Sequence, residues 1–341
     1  MSTCPKIVCL GEILFDCLAD QMGRGLSEVS SWTEYPGGAP ANVACALSKL
    51  GNAAAFIGRV GQDRAGDRLV SVLEENGVDV SGVQRAAAAP TRKVYVTRSL
   101  KGDRCFAGFG EFDSSEFADT ELSAADISPA LFEGAAFLVI GTLALAYLDS
   151  QQATLEAIRL AKENQVRVFI DINWRPVFWQ DSETAKALIM EILQQADLIK
   201  CTDEEAQWLF GMQDPGAIAK LFPQAEGVLV TAGEKGCAYR LGSHDGKVDI
   251  FPITVVDTTG AGDSFVAGFL HYFCRQRESV LESAKTARDA VVYASAVGAL
   301  TTTKPGAIAS QPTAQEVDAF LTQQPNQQPT QQPTKSQSVA A

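Results

Sequence analysis

Residues 255–269 read Val-Val-Asp-Thr-Thr-Gly-Ala-Gly-Asp-Ser-Phe-Val-Ala-Gly-Phe. After the glycines, Phe265, Val266, Phe269 and Leu270 recur at helical spacing. The stretch therefore predicts a strand or extended segment, a glycine turn at Gly260-Ala261-Gly262, and a helix N-terminus. Such a terminus offers unpaired N–H groups and the positive end of a dipole, and glycine lets an anion reach the backbone. Asp263 falls in the first helical turn. A carboxylate there is either an ordinary N-terminal stabiliser worth ~0.3–1 kcal/mol, or a general base beside an anion hole.

Composition narrows the function classes. With 341 residues, 46% hydrophobic and 20% charged, the chain suits one large globular α/β domain with an appendage. A net charge of −13 argues against a nucleic-acid partner and against long-range steering of a nucleotide. No stretch reads as a membrane span. Lys6-Ile-Val-Cys-Leu-Gly11 runs straight into a strand, so no targeting segment is read and the cytoplasm is expected. The eight cysteines form no C-x-x-C pair and sit mostly in apolar runs, as small hydrophobes in a reducing compartment do. There is no G-x-x-x-x-G-K-[ST] loop and no protein-kinase signature; the two histidines, His244 and His271, lie in no motif.

Outward from the opening stretch, the pattern alternates strand and helix. Residues 6–18 predict one buried strand interrupted by Gly11, Glu12 and Asp16, where Asp16 is either at an exposed edge or facing a ligand. Gly37-Gly38 lead into a helix over 40–49; a glycine pair there is a flexible turn or a place for close contact. Further strands are expected at 53–60, 136–142, 166–175 and 227–231, and helices at 63–76, 149–164, 284–300 and 312–322. A hairpin is expected over 237–253, turning at 243–246. Repeated alternation argues a mainly parallel three-layer α/β/α sheet. Asp171, Asn173 and Arg175 gather at a strand exit, the usual ligand edge of an open α/β sheet or merely a polar cap. Thr202-Asp-Glu-Glu205 fits a helix capping box. Residues 323–341, rich in Gln and Pro, have too few apolar residues to pack and are expected to be disordered.

Two motifs carry a family resemblance. Asp257-Thr-Thr-Gly-Ala-Gly-Asp263 resembles the D-T-x-G-A-G-D signature of ribokinase-like, PfkB-type carbohydrate kinases, and Gly37-Gly-Ala-Pro-Ala-Asn-Val-Ala44 resembles their first signature. Gly11-Glu-x-Leu-x-Asp16 looks most like the fructokinase branch. The resemblance, over about 5–320, implies a ribokinase-like domain whose small β-sheet lid, from about 19–36 and 92–110, covers the sugar. It implies ATP-dependent transfer of the γ-phosphate to a sugar primary hydroxyl, most closely that of fructose; ribose, 2-keto-3-deoxygluconate, a nucleoside, or a non-catalytic interaction role are the alternatives. Asp263 becomes the base, with Gly260, Ala261 and Gly262 as anion hole. Asp16, Gly37, Gly38 and Asn42 become sugar contacts; Thr231, Gly233, Gly236, Asn173 and Arg175 nucleotide contacts. Glu205, beside Thr202 where the family has Asn, organises Mg²⁺ through water. Asp257, Thr259 and carbonyls around Thr301, Lys304 and Gly306 hold a monovalent cation, K⁺. Pairing of lids into a homodimer is a further expectation.

Overall fold

The computed structural model describes residues 5–100, 104–179 and 181–324. Residues 101–103 and nearly all of the Gln/Pro-rich tail lie outside them.

Among the described residues, nine strands form one sheet: β1 (Lys6–Leu10), β4 (Ala54–Gly61), β5 (Asp79–Ala86), β8 (Ala135–Gly141), β9 (Arg167–Asp171), β10 (Leu198–Thr202), β11 (Gly227–Thr231), β12 (Cys237–Leu241) and β13 (His244–Val248). Their order is β13-β12-β11-β10-β9-β8-β1-β4-β5, parallel except for the β12–β13 hairpin at one edge. Four more strands, β2 (Leu14–Ala19), β3 (Trp32–Gly37), β6 (Lys93–Arg98) and β7 (Arg104–Gly108), make a separate sheet ordered β3-β2-β6-β7.

Alternation along the strands sorts side chains to two cores. Ile7, Cys9, Phe56, Phe137, Phe169 and Leu229 face α1 (Ala39–Lys49), α2 (Arg64–Glu75), α7 (Ala261–Gln276), α9 (Ala284–Thr301) and α10 (Ala314–Thr322), with the short α8 (Ser279–Glu282) between α7 and α9. Val8, Leu10, Ile57, Ile140, Ile170 and Val230 face α3 (Leu148–Glu163), α4 (Ser182–Leu193), α5 (Asp203–Phe210) and α6 (Pro215–Ala219). The result is the expected three-layer domain.

The first strand differs from expectation. Residues 6–18 are not one interrupted strand: β1 lies in the large sheet and β2 in the small one, with Gly11–Ile13 between them. A hydrophobic run does not show where a chain changes sheets, so the lid begins at Leu14 and includes Asp16. Two other boundaries move. The strand expected over 166–175 ends at Asp171, and the hairpin turns at Gly242-Ser243, its second arm starting at His244. β5 and α4 fall outside the sequence expectations. Residues 251–258 belong to no strand; Val255 and Val256 are exposed, and the N–H groups of Val256 and Asp257 donate to the Thr302 carbonyl at 2.8 and 3.2 Å.

Small residues set the position of α7. A Cβ on Gly268 would come within 3.0 Å of the Ala294 Cα and 2.7 Å of Val297 Cγ2, so the alanine-rich α9 packs directly on α7. The lid is fixed to the body by a third apolar cluster of Leu14, Val94, Leu143 and Phe178.

Candidate active site

Gly260 caps α7 in the left-handed region, φ 75°, where a side chain would also meet Ala307 Cβ at 2.8 Å. Helix geometry leaves the N–H groups of Gly262 and Asp263 without an intrahelical acceptor, and Gly262 is exposed. The Ala261 N–H instead turns toward the Thr258 carbonyl at 3.3 Å. The open donors of the expected anion hole are thus centred on Gly262.

Asp263 is half-buried. Its Oδ2 accepts a 2.8 Å hydrogen bond from Asn42 Nδ2, joining the two signature stretches across 221 residues. Burial raises its pKa above the usual carboxylate range, against the Asn42 bond and the charges of Lys200 and Arg175. Asn42 is buried, and its Oδ1 has no hydrogen-bond partner.

The parallel register brings the carboxyl ends of three strands together: Asp171 lies opposite Lys200, and Thr202 opposite Thr231. Ligands gather at such an edge. Lys200, 4% exposed, donates to both Asp171 oxygens at 3.0 Å. Its Nζ stands 3.4 Å from where a Cβ would sit on Gly262, directly behind the anion hole. Burial opposes the charge on Lys200, but Asp171, Glu205 and Asp263 outweigh it and keep the ammonium protonated. Burial likewise raises Asp171 above its ordinary range, with Lys200 pulling it back. The sequence reading missed Lys200: one lysine in an apolar run gives no hint that it is buried beside a carboxylate from the preceding strand.

Beyond Asp171, Asn173 takes a left-handed backbone, φ 39°, and Arg175 is exposed, its Nη1 donating to the Trp174 carbonyl. Thr231 Oγ1 reaches the Cys201 carbonyl at 3.3 Å. Gly233 and Gly236 both have positive φ, and any side chain on Gly236 would meet the Val248 carbonyl at 2.1 Å. Glu205 does make the capping box with Thr202: its Oε2 accepts the Thr202 N–H and its Oε1 the Trp174 N–H, each at 2.8 Å. Each oxygen keeps a second lone pair, which fits an ion reached through water. Among the described residues, no three His, Cys, Asp or Glu side chains converge to cage a metal directly.

The lid faces a cavity of about 350 Å³ lined by Asp16, Tyr35 and Arg98 on one side and Asp257, Thr259 and Gly306 on the other. Asp16 Oδ2 lies 2.7 Å from the place of a Gly37 Cβ, so only glycine leaves that carboxylate in position. Gly38 has φ 105° and abuts the Glu12 carbonyl. Asp257 ties two loops together, Oδ1 accepting from Thr259 N and Oγ1 and Oδ2 from Gly306 N. A carboxylate at the meeting of two loops suits a weakly hydrated monovalent cation. Thr301 sits apart, its hydroxyl donating to the Val297 carbonyl inside α9; the carbonyl that reaches the Asp257 segment is that of Thr302. Lys304 is exposed beside this loop.

Comparison with known proteins supplies the family. Residues 5–314 match the model of the pfkB family carbohydrate kinases. The chain is 38% identical over 318 residues to a protein named probable fructokinase-2 from Arabidopsis thaliana, covering 92% of this chain and 95% of that one. A solved fructokinase with bound ATP from Xylella fastidiosa superposes with a TM-score of 0.85 at 30% identity, covering 94% of this chain and 99% of that one. A doubly substituted fructokinase from Vibrio cholerae O395, solved with fructose, ADP and potassium ion, gives a TM-score of 0.81 at 29% identity with the same coverage. A family match over residues 5–314, which spans both of the stretches that meet at Asn42 and Asp263, establishes that this chain belongs to the pfkB family of carbohydrate kinases.

Proposed function

We propose that this kinase is an ATP-dependent fructokinase in which Asp263 is the general base. The observation that carries the assignment is the Asn42–Asp263 hydrogen bond. It turns one carboxylate oxygen toward the protein and leaves the other to face a hydroxyl. A carboxylate whose pKa is raised by burial is a stronger base than an ordinary one. As Asp263 takes the hydroxyl proton, the sugar oxygen bonds to the γ-phosphorus, the bond to the bridging oxygen breaks, and ADP leaves. The Gly262 N–H and the Lys200 ammonium supply fixed positive charge where the phosphoryl group passes. This local charge matters because the chain as a whole carries −13.

The acceptor meets the lid at Asp16 and the body at Gly37, Gly38 and Asn42. Asp16 offers a charged acceptor for hydroxyls, and Asn42 Oδ1 a further one. The nucleotide lies along the ends of β9, β10 and β11, near Asn173, Arg175, Thr231, Gly233 and Gly236. Glu205 would order the water shell of Mg²⁺, and Asp257, Thr259 and neighbouring carbonyls would hold K⁺; bound there, the ions would supply positive charge to offset that of the phosphates. The apolar join between lid and body excludes water, the competing acceptor.

The test is ADP release from Mg·ATP with K⁺, screening fructose against ribose, 2-keto-3-deoxygluconate, glucose and adenosine. Fructose should give the highest kcat/KM. Asp263→Asn should lower kcat by ~10²–10⁴-fold with fructose binding little changed. An active Asn variant refutes the base; preferred turnover of another acceptor replaces the substrate.

A further inference from the structure

Glu12 is a 7% exposed carboxylate at the meeting of the two sheets. It belongs to Gly11–Ile13, the three residues by which the chain leaves β1 and enters β2. Its Oε1 accepts the N–H of Ala39, the first residue of α1, at 2.9 Å.

A helix normally receives such an oxygen from its own N-cap side chain. Here the N-cap is Gly38, which has none. The crossing is also close-packed, for a Cβ on Gly38 would meet the Glu12 carbonyl at 2.5 Å and one on Gly11 would meet Pro40 Cγ at 2.6 Å. Neither segment can shift without the other. One turn into α1, Asn42 donates its backbone N–H to the Gly38 carbonyl and its amide to Asp263.

We infer that Glu12 is a positioning residue for the sugar site: its carboxylate caps α1 in place of the absent side chain at Gly38, and so fixes the Gly37-Gly38 turn and Asn42 over Asp263. The inference deepens the proposed function and rests on its assignment of this turn to the sugar.

Keeping a carboxylate here has a cost. Burial pushes Glu12 up to about 7, and the nearby Asp119 and Asp263 add to the rise, while the N–H groups of Glu12 and Ala39 oppose it. Asp119 is itself held by both Nε and Nη2 of the buried Arg92. What the carboxylate gains is a charge-assisted bond at the positive end of α1.

Kinetics on the full chain test this through Glu12→Ala, Glu12→Gln and Asn42→Ala, with thermal melting as a folding control. Losing the capping oxygen in Glu12→Ala should raise the fructose KM by about tenfold and leave the ATP KM within about twofold. Glu12→Gln, which retains an acceptor, should restore the fructose KM to within about threefold of the parent. Asn42→Ala should also raise it. A parental fructose KM in Glu12→Ala, alongside a raised one in Asn42→Ala, overturns the role of Glu12 alone. So does a Gln variant as impaired as the Ala one, since the acceptor would then not be what matters. A parental fructose KM in Asn42→Ala overturns the sugar assignment of the turn and the inference with it. If Glu12→Ala does not fold, Glu12→Met, of similar volume and without an acceptor, takes its place under the same criteria.

Discussion

Lys200 has three N–H donors, spends two on Asp171, and stands behind Gly262. A lysine used only for stability could sit anywhere in the sheet; this one is at the strand end where phosphates arrive. Lys200→Met should therefore fail in two separable ways. It strands a buried carboxylate, which should cost ~3–5 kcal/mol of stability, and it removes fixed charge from the anion hole, which should lower kcat by ~10²-fold or more. Adding Asp171→Asn should recover much of the melting temperature but not the turnover; recovery of parental turnover would reduce Lys200 to a structural partner. Asp263, Gly260 and Asp257 could be read from sequence because a turn motif fixes their relative places locally. Lys200 and Glu12 could not. Each lies in an apolar run, and its significance comes from a partner 27 to 29 residues away along the chain.

At the scale of elements, period and capping were enough to find most helices. Asp63 caps α2 through Gly66 N and Ser283 caps α9 through Thr286 N, as their residue types suggest. The division of 6–18 between two sheets was not legible, because β1 and β2 are equally apolar and only pairing distinguishes them. On α7, the far side from the active site carries His271, whose Nδ1 is bonded to Asn52 Oδ1 at 2.7 Å and whose ring stacks on Tyr293. Its Nε2 has no partner. Burial, and then the charge of Arg275, lowers its pKa from 6.5 to about 4. The folded state thus holds His271 neutral while the unfolded chain takes up a proton below 6.5. The stability this group contributes is present above pH 6.5 and is lost as pH falls toward 4, by about 3 kcal/mol in total. In melting experiments His271→Leu should remove that part of the acid slope although it is less stable at neutral pH. An unchanged slope would mean the ring is protonated in the fold.

For the whole molecule, the fold class was legible because strand and helix alternate along nearly the entire chain. The lid was less so. Its strands come from separate stretches, and β2 continues the same apolar run as β1. The assembled lid meets the body at an apolar cluster and at Arg92, a fully buried guanidinium 4.6 Å from the centre of the Phe117 ring and 5.1 Å from that of Phe178. The cysteines are distributed unevenly over these two parts. Of the seven among the described residues, six are buried and only Cys105, on the outer lid strand β7, is exposed. Burial also raises the thiols of Cys17, Cys45 and Cys237 to about 11, 12 and 12, keeping them as unreactive thiols. With Cys4 replaced by serine, a maleimide dye should therefore attach at one place in the native protein. That place is on the lid sheet and away from the groups that do chemistry. The enzyme thus carries its own attachment point for a fluorophore, and emission recorded during mixing with sugar should report a change at the lid separately from phosphoryl transfer.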